Sequence, residues 1–264
     1  MFCLEYYSSQ KNYKDVEELK IKYRPADRTL KDFLEQYKDK SIIIDVTETF
    51  EDIDAQLLKS LFDAYKNIKI MLDFYNEEHR TRAEKYELPH FFINPITSID
   101  QLWGFLKYEP TDVYICEELG FSLHKIAPLI HKRGIKIRVY PNICQSSFPE
   151  TPSIKSFFIR PEDIYAYAQF VDVFELVADK ERQAVIFRVY KQGKWFGKIN
   201  ELIPSFKGDL DNRYILDTFG CIRIGCGKRC LYKEGSCALC DRFIDVAVAL
   251  KENNIVILRS KEKD

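Results

Sequence analysis

Ser41-Ile42-Ile43-Ile44-Asp45-Val46-Thr47 is the stretch of sequence that decides the fold, because its large aliphatic residues form a nearly continuous run. A strand with one face in water alternates apolar and polar residues, whereas a run of this kind is typical of a strand buried on both faces. Strands of that kind occur mainly in parallel sheets that helices cover on both sides. The stretch therefore predicts an α/β protein with a parallel sheet.

Similar short runs recur along the chain, and segments of helical period separate most of them. The predicted strands are Phe2–Tyr7, Ser41–Thr47, Ile68–Phe74, His90–Asn94, Asp112–Glu117, Lys136–Tyr140, Ser156–Arg160 and Val171–Val177. The charged segment Asp15–Lys22 is predicted to be helical. Eight strands alternating with helices indicate a (β/α)8 TIM-like barrel. An open doubly wound sheet is the alternative, but the chain has neither a Gly-x-Gly-x-x-Gly nor a Walker-type loop to support a nucleotide site.

The predicted barrel occupies residues 1–192, and residues 193–264 form a Cys-rich extension with a terminal helix. The 40 lysines and arginines nearly balance the 41 aspartates and glutamates, so the composition gives no strong signal for nucleic-acid binding. No apolar run approaches the roughly 20 residues that a membrane helix requires. We therefore expect a cytoplasmic protein without a membrane segment.

Polar residues follow the predicted strands, at the end of a barrel where active sites lie. These residues are Asp45, Glu48, Asp73, Asn94, Glu117, Asn142, Cys144, Arg160 and Glu175. Carboxylates grouped at one mouth can act as acid or base, orient a substrate or bind a divalent ion. The candidate catalytic residues are Asp45, Asp73, Glu117, Arg160 and Glu175. Taken singly, each carboxylate is more often exposed or paired with a basic residue than catalytic.

The densest chemical signal is the stretch Cys221–Cys240, which holds five of the eight cysteines. In a reducing compartment, clustered cysteines indicate a metal or an iron–sulfur cluster rather than disulfides. The six candidate cofactor ligands are Cys144, Cys221, Cys226, Cys230, Cys237 and Cys240. By contrast, the isolated Cys3 and Cys116 fall within strand patterns and are expected to be small buried residues.

Two metal sites are compatible with the cysteine spacing. Tetrahedral zinc could take Cys226, Cys230, Cys237 and Cys240, which would give a closed structural site. A cubane iron–sulfur cluster could instead take three of these residues together with Cys144. Spacing alone leaves both open, because both require thiolate ligands.

Three segments carry a resemblance to a known family. They are Tyr140-Pro141-Asn142-Ile143-Cys144, Phe157-Phe158-Ile159-Arg160-Pro161-Glu162-Asp163-Ile164 and Val171-Asp172-Val173-Phe174-Glu175-Leu176. In this order they resemble the collagenase-like peptidase family of unassigned catalytic type. The resemblance implies a barrel protein, with a four-iron cluster held by Cys144 and the tail cysteines and with Arg160 at the substrate mouth. It also implies oxygen-independent hydroxylation of quinone precursors or RNA bases.

Two functions follow from these observations. The first is an iron–sulfur-dependent oxidoreductase or hydroxylase-like enzyme that modifies a small molecule, a peptide or RNA, with a redox donor or another protein as partner. The second is a non-enzymatic binding protein in which zinc folds the C-terminal tail. Peptide hydrolysis is disfavoured, because the sequence offers no Ser/His/Asp or Cys/His arrangement and no His-Glu-x-x-His helix.

Overall fold

The computed structural model describes residues 1–6, 13–24, 29–143, 156–224 and 239–257 of the chain. Its strands are β1 (Phe2–Glu5), β2 (Glu18–Lys22), β3 (Ser41–Asp45), β4 (Ile68–Leu72), β5 (His90–Phe92), β6 (Asp112–Tyr114), β7 (Lys136–Val139) and β8 (Val173–Glu175). Its helices are α1 (Leu30–Gln36), α2 (Asp52–Ala64), α3 (Glu77–Lys85), α4 (Ile99–Leu106), α5 (Glu117–Gly120), α6 (Leu123–His131), α7 (Ile164–Tyr167), α8 (Gln183–Gln192), α9 (Ile199–Leu202), α10 (Phe219–Ile224) and α11 (Leu239–Glu252).

The eight strands pair in parallel in the order β5-β4-β3-β2-β1-β8-β7-β6. The two ends of this sheet also meet, because the amide of Thr111 donates to the carbonyl of His90 and the amide of Ile96 donates to that of Tyr114, each at 2.8 Å. The sheet is therefore a nearly closed barrel with alternating helices, and the predicted (β/α)8 TIM-like fold is confirmed. Within it, β3 has its three isoleucines fully buried, as its continuous apolar run predicts.

Local sequence signals set several helix starts. Asn76 caps α3 by accepting from the amide of His79, and Ser98 caps α4 by accepting from the amide of Gln101. Both side chains satisfy an amide that the first helical turn leaves without an intrahelical partner. No helix within the described ranges combines the length and the apolar character needed to cross a bilayer.

Two elements differ from the predictions. Residues 18–22, predicted as helix, form strand β2. Glu18 and Lys20 meet charged partners inside the barrel, whereas Lys22 is exposed and pairs with Glu48. Residues 156–160, predicted as the seventh strand, belong to none of the strands described here. Their apolar side chains are buried as expected, but the carbonyls of Ser156 and Phe158 accept hydrogen bonds from the side chain of Arg223 instead of a neighbouring strand.

The chain divides into two compact units that interleave along the sequence. The first comprises residues 1–115, 130–139 and 172–175 and contains all eight strands. The second comprises residues 116–129, 140–171 and 176–264 and contains α7 to α11. The division at residue 192 expected from the sequence stays a prediction.

Candidate functional site

A network of buried charges fills the interior of the barrel in the first unit. It consists of the carboxylates of Glu18, Asp112 and Glu175 and the cations of Lys20, Lys69 and Arg138. Glu18 on β2 pairs with Arg138 on β7, although β1 and β8 lie between these strands in the sheet. Only side chains that point into the barrel can meet in this way. Three negative and three positive charges therefore balance one another in the interior.

Lys69 and Arg138 hold two of the carboxylates together. The Lys69 ammonium lies 2.9 Å from Glu18 Oε1 and 2.9 Å from Asp112 Oδ1. The Arg138 guanidinium donates to Glu18 Oε2 at 2.6 Å, and its Nε lies 3.5 Å from Asp112 Oδ1. Both cations also lie over the ring of Phe91, at 5.3 and 4.9 Å from its centroid. Each buried charge is thus neutralised by close partners, which burial of a charge requires.

Glu175, the last residue of β8 and a predicted catalytic carboxylate, belongs to this network. Its Oε1 lies 2.5 Å from the Lys20 ammonium, and its Oε2 accepts a hydrogen bond from the Tyr114 hydroxyl. Burial opposes the charged form of Glu175, but the positive charges of Lys20 and Arg138 outweigh it and lower the pKa of this carboxyl. Glu175 is therefore an ionised and fully engaged carboxylate. Lys20, at 15% side-chain exposure, is where the network comes nearest to solvent.

Cys3 lies against the same network and is fully buried, as predicted. Burial, aided by the negative charge of Glu175, raises the pKa of its thiol to about 12. The thiol form is therefore the stable one near neutral pH, and a thiol without thiolate character is a poor nucleophile and metal ligand. Cys116 is also buried, at 2% exposure, as predicted.

Asp45 is the last residue of β3 and Asp73 follows β4, and each is bound by its own turn. Asp45 Oδ1 accepts from the amide and the hydroxyl of Thr47, at 3.0 and 2.7 Å. Asp73 Oδ1 accepts from the amide of Tyr75 at 2.9 Å. Within the described part of the chain, no hydrogen bond or ion pair links either carboxylate to Glu175. Glu117 begins α5, and its side chain lies outside the described atoms.

The neighbouring polar residues Glu48 and Asn94 are engaged locally as well. Glu48 pairs with Lys22 at 2.5 Å, and Asn94 Oδ1 accepts from the amide of Phe74 at 2.6 Å. These contacts stabilise the segments that follow the strands. The structure thus brings Glu175 into a buried network, while Asp45 and Asp73 are bound within their own turns and Glu48 and Asn94 are bound by neighbouring segments.

Arg160, predicted at a substrate mouth, lies in the second unit with only 1% of its side chain exposed. It binds Asp163 with two parallel hydrogen bonds of 2.7 and 2.8 Å, the bidentate geometry of strong arginine–carboxylate pairs. It also donates to Asn212 and to the carbonyl of Leu216, both at 3.2 Å, and stacks on Phe219. The guanidinium is therefore occupied by groups of the protein itself.

Arg223 on α10 is a buried residue that the sequence analysis did not single out. It donates to the carbonyls of Ser156 and Phe158. Its guanidinium also lies 4.7 to 4.9 Å from the centroids of three rings, those of Phe121, Phe158 and Phe219. No sequence signal marks this arginine as buried. Arg223 joins residues 156–158 to α10.

Most predicted cofactor ligands lie outside the described residues, namely Cys144, Cys226, Cys230 and Cys237. Cys221 belongs to α10, with its side chain outside the described atoms, and Cys240 belongs to α11 and is half-buried. Across the ranges given above, no group of three or more His, Cys, Asp or Glu side chains is placed to hold a metal ion.

The two helices that flank the cysteine segment are joined by an aromatic pair. The ring of Phe219 on α10 and that of Phe243 on α11 lie 5.0 Å apart and perpendicular to each other. Both side chains are buried, at 0% and 7% exposure. Phe219 lies two residues before Cys221, and Phe243 lies three residues after Cys240. The chain therefore returns to nearly the same place at the two ends of the stretch Cys221–Cys240.

Comparisons with known proteins show no matching family model and no matching curated protein. One similar solved structure is L-talarate dehydratase from Polaromonas sp. JS666 in complex with Mg and L-glucarate. It is 13% identical, with a TM-score of 0.40 over 67% of this chain, which spans about half, 52%, of that enzyme's length. Another is a designed cube-shaped protein cage, 12% identical with a TM-score of 0.40 over 91% of this chain and 77% of the cage chain.

Proposed function

We propose that this chain is an iron–sulfur-dependent barrel enzyme that carries out redox or hydroxylation-type modification of a small molecule, a peptide or RNA. Thiolates from Cys221–Cys240, together with Cys144, would hold the cluster, most simply one of the four-iron type. The observation that carries the proposal is the contact between Phe219 and Phe243, which pins both ends of the cysteine segment. A reduced redox donor would be the natural partner of such an enzyme.

Pinning the two ends favours metal binding for an entropic reason. Bringing the ends of a flexible loop together costs free energy that grows with its length. Here the contact between Phe219 and Phe243 already holds the two ends of Cys221–Cys240 together, so bringing those ends together does not oppose the binding of a cluster or metal ion. Thiolates are the soft ligands that iron–sulfur clusters and zinc both prefer. The donor set therefore fits either group.

Arg223 links the helix that carries Cys221 to the described residues that follow Cys144 in the chain. Its guanidinium binds the carbonyls of Ser156 and Phe158, the first described residues after the segment that begins at Cys144. Arg223 lies two residues beyond Cys221 in the same helix. Residues 156–158 are thus held against the helix that carries Cys221.

Catalytic roles for Asp45, Asp73, Glu117, Arg160 and Glu175 form part of this proposal. Asp45 and Asp73 are the best placed of the described members, because both are half-buried at the ends of strands, where barrel active sites lie. Glu175 and Arg160 would act by organising the charges around them, since close partners already bind both side chains.

The burial of Glu175 and Arg160 favours a second candidate function. If these two residues only stabilise the fold, the chain would be a non-enzymatic binding protein. Zinc held by Cys226, Cys230, Cys237 and Cys240 would then close the tail as a structural site. Closed four-thiolate zinc sites of this kind contribute directly to folding.

Metal analysis of anaerobically purified protein decides between the two. Iron and sulfide in equal amounts with broad visible absorbance are expected for the cluster, whereas stoichiometric zinc without colour would support the second function. Single changes to serine at each of the six candidate cysteines should lower the iron content at the ligands. Cys3→Ala is the matched control, because Cys3 is buried in the barrel and should leave the metal content unchanged. A colourless, metal-free protein would contradict both functions.

A further inference from the structure

The second unit contains a cavity of about 350 Å³ in the segments that directly follow β7 and β8 in the chain. Cavities of roughly 300–1,000 Å³ are typical of small-molecule sites. Its lining combines Asn142 and Ile143 after β7, residues 177–179 after β8, Arg182 and Ile186 at the start of α8, and residues 202–205. In (β/α)8 proteins the segments that follow strands 7 and 8 commonly bind ligands.

The walls of this cavity are mainly apolar and firmly held. Ile143, Val177, Ile186, Leu202 and Pro204 supply most of the lining, and Ile186 and Leu202 are only 4% and 1% exposed. The amide side chain of Asn142 fixes one wall, because it donates to the carbonyl of Val177 at 2.5 Å and accepts from the amide of the same residue at 3.0 Å. The cavity therefore has the rigid apolar surface that binds a hydrophobic ligand body.

Arg182 brings a positive charge to this apolar lining. Its guanidinium donates to the carbonyl of Glu201, and no ion pair joins it to a carboxylate anywhere in the described ranges. Nearby Asp179 is occupied, since its Oδ1 accepts from the amide of Arg182 at 2.9 Å. A guanidinium of this kind matches a carboxylate, with which it can form two parallel hydrogen bonds.

From these contacts we infer that the cavity binds an amphipathic monocarboxylate, a ligand with an apolar ring or chain and one carboxylate directed at Arg182. The apolar walls select the body of the ligand, and the guanidinium selects its acidic group. A dianion such as a phosphate monoester is disfavoured, because the Asp179 carboxylate lies in the same lining and would repel the second charge. The inference does not rest on the cysteine stretch, because the described lining comes from other segments of the chain.

Titration calorimetry of the full chain with 2-naphthoate tests this site. We expect saturable binding at one site, with affinity for the neutral 2-naphthylmethanol at least about tenfold weaker, because one charge-assisted pair is lost. Arg182→Gln should weaken 2-naphthoate binding by a similar factor, and Arg182→Lys by less. Arg188→Gln is the matched control, because Arg188 is exposed on the same helix and does not line the cavity.

Several results would overturn the inference. One is the absence of saturable heat up to the solubility limit of 2-naphthoate, and another is equal affinity in wild type and Arg182→Gln. Tighter binding of 2-naphthyl phosphate than of 2-naphthoate would contradict the preference for a single charge. Unchanged circular dichroism and melting temperature in each variant ensure that a lost affinity reports on the site. The titration does not depend on metal content. A negative result would therefore not count against the iron–sulfur proposal, which metal analysis tests separately.

Discussion

Arg138 and Glu18 form an ion pair inside the barrel although 120 residues separate them in the chain, with Nη1 of the guanidinium 2.6 Å from Oε2 of the carboxylate. Both side chains are fully buried. Neither charge has water around it, so each depends on the other and on Lys69 and Asp112 for neutralisation. The pair links β2 to β7 across the interior, and the first prediction concerns its removal.

Arg138→Met should destabilise the protein by about 3–5 kcal/mol, because it leaves the Glu18 carboxylate buried with only one cation beside it. Urea denaturation followed by circular dichroism measures the change. Lys22→Met is the control: Lys22 also pairs with a glutamate, Glu48, but both side chains are largely exposed, and exposed pairs contribute little. An Arg138→Met protein as stable as wild type would mean that the interior charges do not depend on one another.

This network also shows what could be read from the sequence and what could not. Continuous apolar runs such as β3 predicted the parallel sheet correctly, because a strand buried on both faces leaves that mark whatever its neighbours are. β2 was predicted as a helix because its glutamate and lysines were interpreted as a solvent-facing surface. Glu18 and Lys20 find their partners on strands remote in the chain, and no local pattern can reveal such partners. The available signal for a strand was the spacing of Glu18, Lys20 and Lys22 at every second residue, which is the period of a strand.

The candidate site, like the fold, could be predicted from the sequence only in part. Strand-end positions of Asp45, Asp73 and Glu175 follow from chain order, so the sequence could place them. Whether a side chain is free or engaged depends on long-range contacts, such as those of Glu175 with Lys20 and Tyr114. The cavity beside Arg182 is likewise assembled from three separate segments, none of which carries a recognisable motif.

Stability should fall as the pH is lowered through the normal range of histidine titration. His90 is 9% exposed, and its Nε2 has no hydrogen-bond partner among the described atoms. Burial lowers the pKa of His90 below its usual value of 6.5, and burial also lowers that of His79. Near pH 6.5 the unfolded chain therefore binds protons that the folded chain does not bind. The stability that is present above this pH is lost progressively below it.

Urea denaturation at a series of pH values around and below this point measures the effect. In His90→Phe, which keeps a ring of similar shape without a titrating group, the loss of stability on acidification should be smaller than in wild type. An equally steep loss in His90→Phe would assign the pH dependence to other groups.

Cys3 should resist alkylation while the protein is folded. Its thiol is fully buried and its pKa is raised to about 12, so the reactive thiolate is scarce at mildly alkaline pH. After treatment of the native protein with iodoacetamide, mass spectrometry of the N-terminal peptide should show Cys3 unmodified. The same treatment in concentrated urea should modify it, which serves as the control. Rapid modification of Cys3 in the native protein would show that the barrel interior opens readily.

Gly220→Ala should destabilise α10 and the contacts around Arg160. A Cβ atom at position 220 would lie 2.5 Å from the Cβ and Cγ of Asp163, a distance that real side chains do not adopt. Asp163 would have to withdraw from Arg160, or α10 would have to move. Overpacking of this kind typically costs about 1–3 kcal/mol, which thermal and urea denaturation can resolve.

Gly104→Ala provides the opposite case for the same chemical change. Gly104 lies within α4, and an added Cβ would meet no atom within 4 Å. Alanine is favoured over glycine in a helix by about 0.5–1 kcal/mol, so this variant should be more stable than wild type.

If α10 positions the cysteine ligands as proposed, Gly220→Ala should also lower the iron content while Gly104→Ala leaves it unchanged. Equal iron content in both variants, despite a destabilised Gly220→Ala, would separate the packing of α10 from metal binding.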